Sequence, residues 1–301
     1  MSTIPPRPPR HTWRVIGLFL APAVAAYLLL TVYPVLRTIY NSLLEIRPRE
    51  PSVFVGARNY VQLATDKTFW LAVKHTVIWA TLAPLLEVGI GLLLALGLYA
   101  RVPMARFFRV AWFAPVLISY VVVSIMWSWL YNYDWGIVNI ALRAVGLEAL
   151  QKAWLGEPRF ALAALILVDV WKWTAFHMVV CLAALQGLPR EVLEAAEIDM
   201  CGWVRKLRFI AVPMIAPTLL GLLVLGFIGK MKVFDLVWLM TQGGPLWSTE
   251  TVSTYVYKRA FDWNTFDLGY PSAVATVWFA AILACVILFV TLFRQRDTLE
   301  Y

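Results

Sequence analysis

Leu188-Pro189-Arg190-Glu191-Val192-Leu193-Glu194-Ala195-Ala196-Glu197-Ile198-Asp199-Met200-Cys201-Gly202 stands between two long apolar runs and is unlike an ordinary connector. Proline suits the first position of a helix and glycine its end, so Pro189 and Gly202 bracket about three helical turns. Helical spacing gathers Arg190, Glu191, Glu194 and Glu197 on one side, and Val192, Ala195, Ala196 and Asp199 on another. The alanines leave a backbone that another surface can approach closely. Beyond Gly202 a basic stretch, Arg205-Lys206-Leu207-Arg208, leads to Pro213 at the mouth of the next apolar run. The segment reads as two short helices with a bend, lying beneath a membrane. A plain amphipathic helix on lipid is the simpler alternative. Anionic headgroups repel a Glu-rich face, however, and a protein partner with a basic groove matches it better.

The flanking runs set the fold class. Of 301 residues, 61% are hydrophobic and 15% charged, with a mean hydropathy of +0.72. A soluble domain carries about 45–50% apolar and about 25% charged residues. The excess sits in six runs, 15–39, 71–99, 108–131, 160–185, 213–240 and 272–293. A bilayer takes about 18 or more apolar residues to cross, and lipid leaves no partner for an unpaired backbone group, so these runs predict six transmembrane helices in an all-α membrane protein. The 15 tryptophans and 12 tyrosines fit the aromatic belts of a membrane interface. The net charge of +8 reads as anchoring near lipid headgroups rather than nucleic-acid binding.

An even number of spans puts both termini on one side. Arg7, Arg10 and Arg14 at one end, Arg294 and Arg296 at the other, and the short loops with Arg101, Arg106, Arg109 and with Arg190, Arg205, Lys206, Arg208 make that side the cytoplasm. The outer segments near 41–69, 132–158 and 241–271 carry nearly as many basic residues, so density in the short loops decides the orientation. The apolar stretch from Val15 to Tyr33 is too long for a signal-peptide core and reads as a retained span. The expected organisation is a tail 1–14, a transmembrane domain 15–293 with its loop at 186–213, and a tail 294–301. Cys181, Cys201 and Cys285 form no CxxC pair, so neither a disulfide framework nor a metal site is expected.

Ionisable residues inside spans are costly and are functional candidates. Here they are Glu87, Asp169, Lys172, His177, Lys230, Lys232 and Asp235. Asp169 with Lys172, and Lys232 with Asp235, stand three apart and so predict neutralised pairs on single helix faces. Glu87 and His177 have no partner within their own helices. His177 reads as a hydrogen-bonding residue between helices rather than a ligand.

Glu194-Ala195-Ala196, followed by Asp199, Gly202, Ile210 and Val212-Pro213, resembles the EAA loop of permease subunits in ABC importers. In that family the loop is a coupling helix seated in a cleft of the cytoplasmic ATPase. The family has glycine directly after the Asp; this chain has Met200 there and glycine at Gly202, which implies a shifted bend. The resemblance extends over nearly the whole chain. Phe54-Val55-Gly56, Asn59-Tyr60 and Phe69-Trp70 resemble the first outer segment of the carbohydrate branch, the maltose/glycerol-phosphate type. Phe234-Asp235, Thr241-Gln242-Gly243-Gly244-Pro245, Thr249, Tyr255, Tyr257, Ala260-Phe261 and Gly269-Tyr270 resemble the same branch near its end.

The resemblance implies a type I importer permease moving a carbohydrate by alternating access. It implies coupling to an ATPase through Glu194, Ala195, Ala196, Asp199, Gly202 and Pro213. It implies substrate contacts at Lys172, Trp173 and Phe176 on the fourth span, where Ala175 replaces the family's proline, and at Gly226, Gly229, Lys230 and Val233 on the fifth. Two cations, Lys172 and Lys230, would favour an anionic or strongly hydroxylated substrate such as a uronate oligosaccharide or a glycerol-phosphate-like compound. The implied partners are a second permease, two ATPase copies and an extracytoplasmic solute-binding protein, in a bacterial plasma (inner) membrane.

The chain has no GxxxxGK[ST] loop, so ATP and Mg belong to a partner chain and no cofactor is expected on this one. A carrier driven by an ion gradient is the rival, motivated by Glu87 and Asp169; the absence of internal symmetry and the loop speak against it. A membrane enzyme would need a convergent cluster, which the scattered His11, His75 and His177 do not supply.

Overall fold

In the computed structural model the described residues are 10–47, 50–100, 104–262 and 267–294, and nearly all the regular structure is helical. They divide into two compact units, Met1–Thr65 with Lys258–Val277, and Asp66–Tyr257 with Trp278–Tyr301. Four helices are long and apolar enough to cross a membrane, and there are six spans if two bent helix pairs are each taken as one.

In the first unit, Arg10–Tyr27 runs through a π-helical turn, Leu28–Val32, into Tyr33–Asn41 as one long first span. A two-residue antiparallel pairing, Leu44–Glu45 with Val53–Phe54, follows. Asn59 pins it by donating to Ser42 O at 2.8 Å and Leu44 O at 3.0 Å. Gly269 opens the last span against this strand. A Cβ there would sit 1.9 Å from Leu44 O, so the position admits only glycine.

In the second unit, the second span (Lys67–Tyr99) begins at Asp66, whose Oδ1 accepts from Thr68 N at 2.9 Å. Its buried residues Phe69, Ala72, Thr76, Trp79, Ala83, Glu87, Gly91 and Ala95 recur every three or four positions and form one face. That face packs along the fourth span, Pro158–Gln186. Small residues let the backbones close: a Cβ on Gly91 would lie 2.8 Å from Met178 N.

Two expected spans are corrected. The run 108–131 is not one helix but two, Ala105–Leu117 and Tyr120–Leu130, turned by 101°. Pro115 weakens the last turn of the first, Ile118 is extended, and Ser119 caps the second through Val122 N at 3.5 Å. Apolarity continues across the break, so the run looked unbroken. The run 213–240 is likewise shorter as a helix. Ala216–Lys230 is the span, Pro213 belongs to the helix before it, and Asp235–Met240 is a separate short helix. The residues between are engaged sideways: Trp278 donates to Met231 O at 2.9 Å and Thr251 to Val233 O at 3.1 Å.

Candidate functional site

The second, fourth and fifth spans meet at a buried charge network. Lys230 Nζ lies 2.8 Å from Glu87 Oε1 and 2.7 Å from Asp169 Oδ2. Both carboxylates are 1% exposed and the lysine side chain 12%. Asp169 also accepts from Trp79 Nε1 at 2.8 Å and from Tyr120 OH at 3.3 Å, and Trp173 Nε1 donates to Tyr120 OH at 2.6 Å. Two buried anions hold one cation, and hydrogen bonds satisfy the remaining oxygens of Asp169. Glu87 Oε2 has no hydrogen-bond donor among the described residues; His177 Nε2 lies 3.8 Å from it. Both pairs expected within single helices are corrected. Asp169 turns to Lys230 rather than to Lys172. Lys232 and Asp235 are exposed and form no ion pair with each other among the described residues. His177 is corrected too: its Nδ1 donates to Trp173 O of its own helix at 3.0 Å.

Lys172 is engaged within the chain itself. Its ammonium donates to Pro115 O at 3.0 Å, to Val116 O at 3.3 Å and to Ile118 O. These are carbonyls at and just beyond the broken end of Ala105–Leu117, where the i+4 donors of a continuing helix are missing; Pro115 O also accepts from Ile118 N at 3.3 Å. An ammonium has three donors and all are spent here. A cation at a helix C-terminus also meets the negative end of its dipole. Lys172 therefore holds the 101° break from the side of the fourth span. With Lys172 capping a helix and Lys230 matched by two carboxylates, the pair of free cations that suggested an anionic substrate does not exist.

The other expected contact residues separate into two groups. Gly229, Lys230 and Val233 line a cavity of ≈110 Å³ together with Tyr120, Asp169, Lys232, Phe234, Asp235 and Leu236. Trp173 stands over Lys230, with its ring centroid 5.5 Å from Nζ, and Phe176 is exposed beside it at a ring separation of 6.0 Å. Gly226 is not part of this wall: a Cβ there would lie 2.9 Å from Pro84 Cβ, so the room it leaves is filled by the second span. Glu87, Trp79 and Tyr120 belong to this network, and matching to the family did not supply them. The signal for Glu87 was present, as a charge in a span with no partner on its own helix.

The loop between the fourth and fifth spans forms the expected helix, Arg190–Ile198. Glu194, Ala195 and Asp199 are exposed and Ala196 is buried. The bend is not shifted to Gly202. Met200 itself takes the left-handed conformation, φ 52°, and Cys201 N donates to Ala196 O at 2.9 Å, the six-to-one bond of a Schellman ending. Gly202, at φ −58°, instead opens the next helix, Trp203–Lys206, which continues as a π-helical turn, Leu207–Ala211, into Val212–Met214. Trp203 stacks on Tyr99 at the end of the second span, with centroids 5.9 Å apart and planes 15° apart.

Residues 87–297 match the family model described as "Binding-protein-dependent transport system inner membrane component". This chain belongs to that family. The match spans the charge network, the exposed loop helix and the helices on either side of it. Its relatives include the sulfoquinovosyl glycerol transport system permease protein SmoG of Agrobacterium fabrum, 32% identical over 302 residues, covering 96% of each chain. The trehalose/maltose transport system permease protein MalF of Thermococcus litoralis is 30% identical over 282 residues, covering 93% of each. Among solved structures, a bacterial alginate ABC transporter in complex with alginate pentasaccharide-bound periplasmic protein superposes with a TM-score of 0.82 at 22% identity, over 95% of this chain and 96% of that one. The fold is that of a type I ABC importer permease, and the chain is an inner membrane component of such a transporter.

Proposed function

We propose that this permease is the translocation subunit of an ATP-driven carbohydrate importer. The observation that carries the reading is the Arg190–Ile198 helix, placed between two spans with Glu194 and Ala195 exposed for a partner to grip. A cytoplasmic ATPase, two copies per complex, binds ATP and Mg and closes around this helix. Ala196, Asp199, Gly202 and Pro213 shape the loop that carries the motion into the spans. Both termini lie in the cytoplasm, the tails being 1–14 and 294–301.

Carbohydrate is the substrate class that the names of the relatives support, since sulfoquinovosyl glycerol, trehalose and maltose are all glycosides. Trp173, Phe176, Gly229, Lys230 and Val233 form this chain's wall of the pocket. The aromatic rings stack on the apolar face of a sugar, and Lys230 meets its hydroxyls. The ≈110 Å³ cavity is small beside ligand sites of about 300–1,000 Å³, which supports a pocket completed by a second permease subunit. An extracytoplasmic binding protein delivers the sugar, in keeping with the family's description.

The test is ATP hydrolysis by the complex, purified with its partner chains and reconstituted in lipid with binding protein. The panel holds neutral disaccharides and acidic oligosaccharides. Stimulation by members of the panel, lost in Glu194→Lys, is the expected result. A complex that carries no ATPase, or one indifferent to every sugar and to Glu194, overturns the reading.

A further inference from the structure

The loop helix touches the rest of the chain sparsely. Among its described side chains only Ala196 is buried, and the Met200 turn that follows is 92% exposed. Trp203 is in ring contact with the second span. Its indole lies flat on Tyr99, and Lys206, itself buried, places Nζ 5.5 Å from the indole centroid. From there the segment is anchored: Leu207, Ala211 and Ile215 enter a cluster with Val88, Ala95, Leu182 and Leu185. Trp203, itself 42% exposed, lies three residues beyond the exposed Met200 and bears on the last residue of the second span.

That span carries both ends of a physical connection. Tyr99 is its final residue, and Glu87 lies on the same unbroken stretch, C-terminal to Pro84. At 1.5 Å per residue the two are about 18 Å apart along the axis. At the upper point, Glu87 is tied to Lys230 of the fifth span, which is tied to Asp169 of the fourth. A helix is stiff along its axis, so a displacement applied at Tyr99 arrives at Glu87 with little loss. Coupling between separated sites runs through such packed elements when each end is held.

We infer that Trp203 and Tyr99 are positioning residues for energy coupling: their stack delivers the movement of the loop helix to the second span, which passes it to the Glu87–Lys230–Asp169 network. This rests on the reading of the loop helix as the ATPase contact. Their role is to fix one rigid element against another. An aromatic face is needed at both positions, and apolar bulk alone does not suffice.

The test uses the full transporter complex with a non-hydrolysable ATP analogue as the probe, read by hydrogen exchange over residues 87–99. The parent is expected to show a nucleotide-dependent change in protection there. Trp203→Phe, which keeps a ring, retains it. Trp203→Ala and Tyr99→Leu reduce it by about three- to tenfold, the range an aromatic pair's free energy translates to. The double variant is no worse than either single one, because both remove the same contact. Tyr99→Leu keeps apolar bulk, so its melting temperature stays near the parent's and the exchange readout is separated from simple unfolding. Undiminished change in both Trp203→Ala and Tyr99→Leu overturns the inference while Glu194→Lys still abolishes the response. A response that also survives Glu194→Lys overturns the coupling reading itself, and the inference with it.

Discussion

Lys230 Nζ stands 2.8 Å from Glu87 Oε1, joining the fifth span to the second at a point where the carboxylate is buried and the lysine nearly so. Asp169 completes the set at 2.7 Å from the same nitrogen. Breaking a buried pair by removing one partner costs about 3–5 kcal/mol, because a charge is left uncompensated. Lys230→Met strands two carboxylates and is expected to lower the melting temperature of the purified complex most. Glu87→Gln keeps the shape and leaves the Lys230–Asp169 pair, so its loss is smaller. The double variant Lys230→Met with Glu87→Gln recovers part of the loss. Calorimetry in detergent checks the order, and equal stability of Lys230→Met and the parent contradicts the network.

Lys172 caps the broken helix through three carbonyls. Unsatisfied buried acceptors cost about 1–3 kcal/mol each. Lys172→Met is expected to destabilise the complex, while the variant that still folds keeps the parent's apparent affinity for sugar. Trp173→Ala shows the opposite pattern, with weakened affinity and little change in melting temperature. Uptake kinetics beside a melting curve separate the two. A selective loss of affinity in Lys172→Met returns that residue to the substrate wall.

Gly226 and Gly229 are one turn apart and have different surroundings. A Cβ at 226 meets Pro84 at 2.9 Å, whereas nothing lies within 4 Å of one at 229. Overpacking a close helix contact costs about 1–3 kcal/mol. Gly226→Ala is therefore expected to lower stability, and Gly229→Ala to leave stability intact while narrowing the cavity and slowing uptake. Equal stability of the two variants contradicts the packing described.

Met200 holds a left-handed conformation, φ 52°. Left-handed geometry costs a residue with a Cβ about 1–2 kcal/mol, and glycine avoids most of it. Met200→Gly is expected to firm the turn, slowing hydrogen exchange of the Cys201 amide bonded to Ala196 O, with ATPase coupling preserved. Met200→Val, β-branched, speeds that exchange. Faster exchange in Met200→Gly contradicts the Schellman ending.

The four long spans were legible because apolarity over a bilayer's width is a one-dimensional property of the chain. The two breaks were not. At Pro115–Ile118 the residues remain apolar, and the stabilising partner, Lys172, lies on another helix. The same limit governs the charges. Spacing along one helix suggested Asp169 with Lys172, but the pairs that form, Glu87–Lys230 and Asp169–Lys230, cross between helices. Periodicity says which face a residue occupies and not which neighbour that face meets. The loop helix was legible in position and length because Pro189, the alanines and the charges are local signals. Its ending was misread, since a glycine two residues on seemed to offer the left-handed turn that Met200 adopts.

The most direct measurement is uptake of labelled sugar into proteoliposomes holding the complete transporter, with binding protein outside. One set carries trapped ATP with no ion gradient. The other carries an imposed proton or sodium gradient with no nucleotide. The account predicts uptake in the first set only, and its loss in Glu194→Lys. Accumulation in the second set, undisturbed by Glu194→Lys, would contradict it.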